Sequence, residues 1–272
     1  MIAPSLVPPA GRARRSRLAF VVAGLLSGIG AAACGHLGPR AEVREDWTRS
    51  YTIARTATFE IRNTNGRIRV EAGSGDTIDV TATRTVRAPS EAQARTALAD
   101  YTNTESVTPA RVRLESHHRF MFLINRSLSV DYLVRAPAWA NITLKSTNGD
   151  IDVSGLGGLF RGDATNGRIA ARSLEGSADV EATNGDIELE FVRLAEGGVR
   201  SSTTNGAITI IVPRDVKARV SARVTNGSIS TSDLPLQASE QSRRRLEATI
   251  GGGGPAVRLE STNGEIRVKG RH

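Results

Sequence analysis

The sequence predicts an all-β fold: a parallel β-solenoid, a β-helix-like array of 18–21-residue Asn-Gly-x-Ile repeats with one capping α-helix. The first ground is recurrence. Thr-Asn-Gly occurs seven times, starting at Thr64, Thr147, Thr165, Thr183, Thr204, Thr225 and Thr262, with successive spacings of 83, 18, 18, 21, 21 and 37 residues. A period of about 20 marks stacked units that each cover their neighbour, and the spacing of 37 reads as two units with one degenerate corner. The second ground is alternation. Two residues after each Gly stands isoleucine every time, at Ile68, Ile151, Ile169, Ile187, Ile208, Ile229 and Ile266. Apolar residues recur two further on, at Val70, Val153 and Leu189, with Arg69, Asp152 and Glu188 between, the period of a half-buried strand. The third ground is composition: 4% aromatic residues and 27 glycines in 272 residues suit a thin, repetitive β core.

Each unit is therefore strand, corner, strand, second corner. Asn65, Asn148, Asn166, Asn184, Asn205, Asn226 and Asn263 occupy the first corner, where Asn tolerates left-handed backbone angles and Gly has no Cβ to clash. Asn-Gly is also a hairpin signal, so an antiparallel meander competes with stacked coils. The residue after Gly favours stacking: Asp150, Arg168 and Asp186 alternate in sign, which pays only if they lie on adjacent rungs about 4.8 Å apart. A buried isoleucine contributes about 1.5–3 kcal/mol and a side-chain amide bond about 0.5–1.5 kcal/mol. The isoleucine column is thus expected to hold the coils together and the asparagine row to fix their register.

Residues 1–34 are set apart as a targeting segment. Arg12, Arg14, Arg15 and Arg17 precede the 16-residue uncharged run Leu18–Ala33, shorter than the roughly 20 residues of a membrane-spanning helix. The run closes on Ala31-Ala32-Ala33-Cys34-Gly35, which resembles a bacterial lipoprotein signal with Ala31 where Leu is usual. The resemblance implies lipidation of Cys34, the single cysteine, and anchoring in the cell envelope. Gly35, where the inner-membrane retention signal would carry Asp, favours the outer membrane. Ordinary cleavage after Ala33 and an uncleaved anchor are the rival readings. Without this segment 32 basic residues face 28 acidic ones, interleaved and without an aromatic platform, so nucleic acid is not an expected partner.

Residues 35–50 read as a polar tether and 51–139 as an N-terminal β region. Within it, Ser90 to Tyr101 predicts the helix: Ser90 and Gln93 have capping-box spacing, and Ala94, Ala97, Leu98 and Tyr101 share one face. Such a helix would cover one end of the array. Phe120 to Ile124 is the most apolar stretch of the chain after the targeting segment, expected as a buried strand or cap, with an exposed binding or membrane-touching patch as the alternative. Residues 140–270 are the array, interrupted near 236–247 by a polar, solvated excursion with Arg243, Arg244 and Arg245. No closing cap is evident after it, so Ile266 to Lys269 is expected as an edge strand open to self-association.

Together the leading Asn-Gly-x-Ile pair, the Ser-Glu helix, a strand ending at Pro137 and serial Asn-Gly-Asp-Ile units resemble a bacterial family of candidate adhesins with β-strand repeats, over roughly Tyr51 to Lys269. That resemblance implies a solenoid-like β domain in the cell envelope.

No catalytic constellation emerges. Asp150, Asp152, Asp186, Glu188 and Glu190 would share a face in stacked coils, but they alternate with arginine, as a solvated ladder does. The histidines, 36, 117, 118 and 272, do not form a zinc pattern; acidic positions do not recur as calcium repeats require; and no phosphate loop is present. The expected protein is non-enzymatic, without cofactor or metal. It is tethered to the membrane through an N-terminal lipid, with an envelope glycan or protein as partner. A carbohydrate-binding or carbohydrate-active β-helix is the alternative.

Overall fold

The computed structural model describes residues 41–118 and 126–271. The predicted targeting segment with Cys34 and the Phe120 to Ile124 stretch lie outside the described residues.

Strands come first in pairs around the corners. The chain enters through β1 (Ala41–Thr52), then β2 (Thr58–Asn65) and β3 (Ile68–Gly73) flank the first Asn-Gly, and β4 (Thr77–Ala88) leads to helix α1 (Glu91–Ala99). A hairpin of β5 (Tyr101–Thr108) and β6 (Arg111–His118) precedes β7 (Ser127–Pro137). The regular array follows as β8 (Asn141–Asn148) with β9 (Ile151–Ser154), β10 (Phe160–Asn166) with β11 (Ile169–Leu174), β12 (Ala178–Asn184) with β13 (Ile187–Phe191), and β14 (Val199–Asn205) with β15 (Ile208–Val212). The long β16 (Ala218–Ser232) runs through its corner, the hairpin β17 (Leu236–Gln241) and β18 (Arg245–Ile250) follows, and β19 (Ala256–Gly270) closes the chain.

Pairing is that of a solenoid. The strands before the corner stack in parallel, and so do those after it, with Phe59, Ile142, Phe160, Ala178, Val199, Val257 and Val220 in one register row. Ile68, Ile151, Ile169, Ile187, Ile208, Ile266 and Ile229 form another. The first six of these isoleucines are at most 1% exposed, whereas Ile229 is only partly buried. Side chains alternate in and out along each strand, so two facing sheets enclose one narrow core of Ile, Val, Leu and Ala, with Phe59, Phe160 and Phe191 as its largest members.

The order of rungs is not the order of the chain. β6 and β7 pair in parallel outside β2 and β3, and β8 and β9 pair on their other side. At the far end β19 lies between β14/β15 and β16, bonded on both edges. Both terminal pairs are thus transposed: the first repeat unit and the last are each tucked one rung inside.

Three expectations are corrected here. Residues 41–50, read as tether, belong to β1, which pairs antiparallel with β4 from Ala41↔Ala88 to Thr52↔Thr77; its charged face is that of an edge strand, and Val43, Trp47 and Tyr51 pack inward. The excursion near 236–247 is no loop. It is the β17–β18 hairpin, laid antiparallel on β16, so the array does have a closing cap, and the spacing of 37 holds one unit plus that hairpin rather than two units. Ile266 to Lys269 is not an edge, because it pairs with Ile208 to Ile211 on one side and Ile229 to Ser232 on the other. That strand therefore offers no open edge.

Helix α1 has the expected start: Ser90 is the N-cap, and its Oγ accepts from Gln93 N–H at 3.4 Å. It buries Ala94, Ala97 and Leu98 against β4 and β1. The cap beneath it contains polar groups. Tyr101 Oη donates to Asn103 Oδ1 at 2.5 Å, and Ser116 Oγ and Tyr132 Oη share a bond of 2.6 Å. Burial raises the pKa of Tyr51, Tyr101 and Tyr132 above the ordinary phenol value, keeping all three neutral.

Candidate functional site

The corner is where the repeat is most constrained. The corner Gly N–H groups from Gly66 to Gly206 donate forward to the Asn carbonyl of the next rung, as Gly149 to Asn166 O at 2.9 Å and Gly167 to Asn184 O at 3.1 Å. The side-chain amides run the opposite way. Asn148 donates to Asn65, Asn166 to Asn148, Asn184 to Asn166, Asn205 to Asn184, Asn263 to Asn205 and Asn226 to Asn263, at 2.8–3.0 Å. All seven asparagines thereby form one continuous ladder, whose first member reaches the Leu128 carbonyl of β7 at 3.4 Å. Aligned amides of this kind polarise one another.

Glycine is dictated by the same approach. A Cβ on Gly149, at φ +146°, would stand 2.1 Å from Gly66 O, and one on Gly227 would stand 1.7 Å from Gly264 O. The residue after Gly adds a third tie: Asp150 Oδ1 accepts from Arg168 N–H at 3.0 Å, and Asp186 Oδ1 from Ala207 N–H at 2.8 Å. An aspartate here thus serves the next rung's backbone, a role that the alternation of sign did not reveal.

Beside the ladder runs the threonine row, one hydroxyl per rung and exposed from Thr147 onward. With the residues two positions upstream it lines two polar troughs of about 350 and 290 Å³ that meet at Asp163. One reaches from Asp163 past Glu181, Ser202 and Glu260 to Arg223; the other reaches back past Lys145 to Arg62, Asn63 and Ser116. Asn63 donates to Gly66 O and Val130 O, and its buried Oδ1 has no partner.

Charges on the faces are largely paired. Lys145 meets Asp163 at 2.9 Å. Arg67 lies 3.5 Å from Asp150 and 3.6 Å from Asp152; Arg168 lies 3.6 Å from Asp152, Arg172 3.3 Å from Glu188, and Arg271 3.4 Å from Glu190. The acidic residues that could have formed a glycosidase pair are therefore engaged in ion pairs or backbone bonds. Among the described residues there is no group of three or more His, Cys, Asp or Glu that could hold a metal ion.

The one buried carboxylate among the described residues, Glu60, carries no motif in the sequence. Burial raises its pKa, but hydrogen bonds from Arg62 at 2.7 Å and Arg113 at 3.0 Å outweigh that and hold it below the ordinary 4.5. Its only sequence signal is a Glu at an outward strand position.

A parallel solenoid whose corners are joined by an asparagine ladder defines the class of protein. The Toastrack DUF4097 family profile matches residues 51–269, and the chain belongs to that family. No curated protein matches it. Among solved structures it is similar to a candidate cell adhesion protein from Clostridium sporogenes, with 11% identity over 84% of this chain and 100% of the other and a TM-score of 0.46. It is also similar to a candidate adhesin from Bacteroides fragilis, with 12% identity over 84% and 97% and a TM-score of 0.39. No helix among the described residues is long and apolar enough to cross a membrane.

Proposed function

We propose that this is a non-enzymatic, lipid-anchored protein of the cell envelope that displays a rigid β-solenoid as an adhesin or scaffold, with the outer membrane as its site. The carrying observation is the unbroken asparagine ladder with its flanking threonine row. It presents one chemistry at a constant pitch of about 4.8 Å on a support whose register is fixed at every corner. The ion-paired carboxylates beside it offer no free acid and base at a shared centre, which supports display over catalysis.

The tether rests on Cys34 at the end of its small-residue box. Two or more acyl chains anchor stably where one does not. Palmitate should label the wild-type chain and fail to label Cys34→Ala; label surviving that substitution refutes the tether. Adhesion is tested by attachment of cells with and without the protein to a panel of envelope glycans and proteins. Equal attachment throughout would remove the adhesin role and leave the scaffold.

The polar trough along the threonine row favours a second reading, a carbohydrate-binding surface. Depletion of the protein from solution by cell-wall or capsular polysaccharide, lost on replacing Thr183 and Thr204 by Val, would support it.

A further inference from the structure

The C-terminal rung ends the chain inside the stack rather than at its edge. β19 is the last element of the chain, yet it fills a slot between β14/β15 and β16, in register with both across the whole coil. It reaches the slot through Gly251-Gly252-Gly253-Gly254-Pro255, which crosses over Val216 and Lys217 just before β16. Three of those glycines have φ of +59°, +81° and +90°, and a Cβ on Gly252 would meet nothing within 4 Å. Gly252 stands in open space, whereas Gly251 and Gly254 lie close over Val216 and Lys217 and Gly253 N–H donates to Ile250 O at 3.1 Å; the positive φ angles make this a turn that glycine alone adopts freely.

Two further observations bear on whether the rung can leave. Ser201 on β14 is 1% exposed and its Oγ has no hydrogen-bond partner; opposite it stands Leu259 of β19. A buried, unmatched hydroxyl costs free energy at this pairing, which is otherwise joined by Ser261 Oγ donating to Gly206 O at 3.3 Å and Asn263 to Asn205 at 2.8 Å. The slot can also close when empty. Thr204 and Thr225 are 21 residues apart, as Thr183 and Thr204 are, so β16 carries the spacing and the Asn-Gly-x-Ile marks needed to stack directly on β14/β15. Withdrawal of β19 need not leave two bare strand edges.

We propose that β19 is an exchangeable rung: it inserts into the slot of a second copy, giving strand-exchanged dimers. Every contact of the closed chain is reproduced in the exchanged one, with the partner's Asn263 entering the ladder, and only the glycine hinge changes conformation. The balance is then set by concentration against the local concentration the hinge provides. The proposal rests on the fold alone and stands whether or not Cys34 carries lipid.

The test uses the full chain in detergent with Cys34→Ser, so that engineered cysteines are the only ones. Ser202 and Glu260 are register partners on the outward face of β14 and β19, within disulfide reach at the spacing of adjacent strands. Copies carrying Ser202→Cys are mixed with copies carrying Glu260→Cys and oxidised. A disulfide-linked heterodimer is expected, increasing at least tenfold when Gly251 to Gly253 are deleted from both, because the shortened hinge cannot pass over the end of β16. The double variant in one chain should close within the monomer, showing that the substitutions leave the register intact. Closure of that double variant with no cross-copy disulfide at the highest soluble concentration overturns the proposal, whatever the shortened hinge does.

Discussion

The two ends of the stack are finished in different ways. At the N-terminal end the first repeat rung, β2/β3, is covered on both sheets: by β6 and β5 on one, and by β7, β4 and β1 on the other, with α1 packed over β4 and β1. Three neutral tyrosines and a buried Ser116–Tyr132 bond lie within that cap. At the C-terminal end the outermost rung, β16, is covered by the β17–β18 hairpin only over Ala218 to Arg223. Beyond its corner one backbone bond, Ile229 N–H to Arg243 O, reaches it from outside. An isoleucine column adds most where rungs close it on both sides, so stability should grade along the stack, with fraying from the C-terminal end.

The largest expected contrast lies in that column. Ile68→Ala, in a fully buried position, should cost about 2–5 kcal/mol in denaturant unfolding, and Ile229→Ala, half-buried at the open end, about 1 kcal/mol or less. Equal losses would mean that the ends are equally well closed. Next, Tyr132→Phe leaves the buried Ser116 hydroxyl without its partner and should cost about 1–3 kcal/mol. The corresponding loss of a bond at the other end, Ser230→Ala, leaves half-buried Glu265 still paired with Arg267 and should stay within about 0.5 kcal/mol. In the ladder, Asn184→Ala interrupts the amide row mid-stack and is expected to cost about 1 kcal/mol; Asn226→Ala removes a terminal member and should cost less.

The last contrast is read from pH. The Glu60 pKa is held below its ordinary value by Arg62 and Arg113, so its contribution is intact above the ordinary value and is lost as pH falls through the lowered one. The acid-side slope of unfolding free energy against pH should shrink in Glu60→Gln. An unchanged slope would show that the pair of arginines does not stabilise the charged form.

Much of this architecture was legible, and what was not has a common cause. Asn, Gly and Ile recur because each acts within its own rung and the adjacent one, so register could be read from any two units. That same uniformity hides neighbour order: Asn205 can pair with Asn226 or Asn263 at equal geometry, and nothing local chooses. The transposition at both ends was therefore invisible. β1 and the β17–β18 hairpin were read as tether and excursion because edge strands carry charge, as Glu42, Arg44, Glu45 and Asp46 do, and charge on an edge looks like charge on a linker. At the candidate site, the row of Asn and Thr could be seen as a pattern. The trough could not, since it depends on which side chains upstream of the corner come to lie side by side.

The ladder has one more consequence. Because every corner offers the same donor and the same acceptor, a unit can be gained or lost by duplication or deletion without rewriting its neighbours, and each such event changes the reach of the molecule by one strand spacing, about 4.8 Å. The protein is in that sense a ruler graduated in whole rungs, and its relatives can differ in length while presenting the same edge.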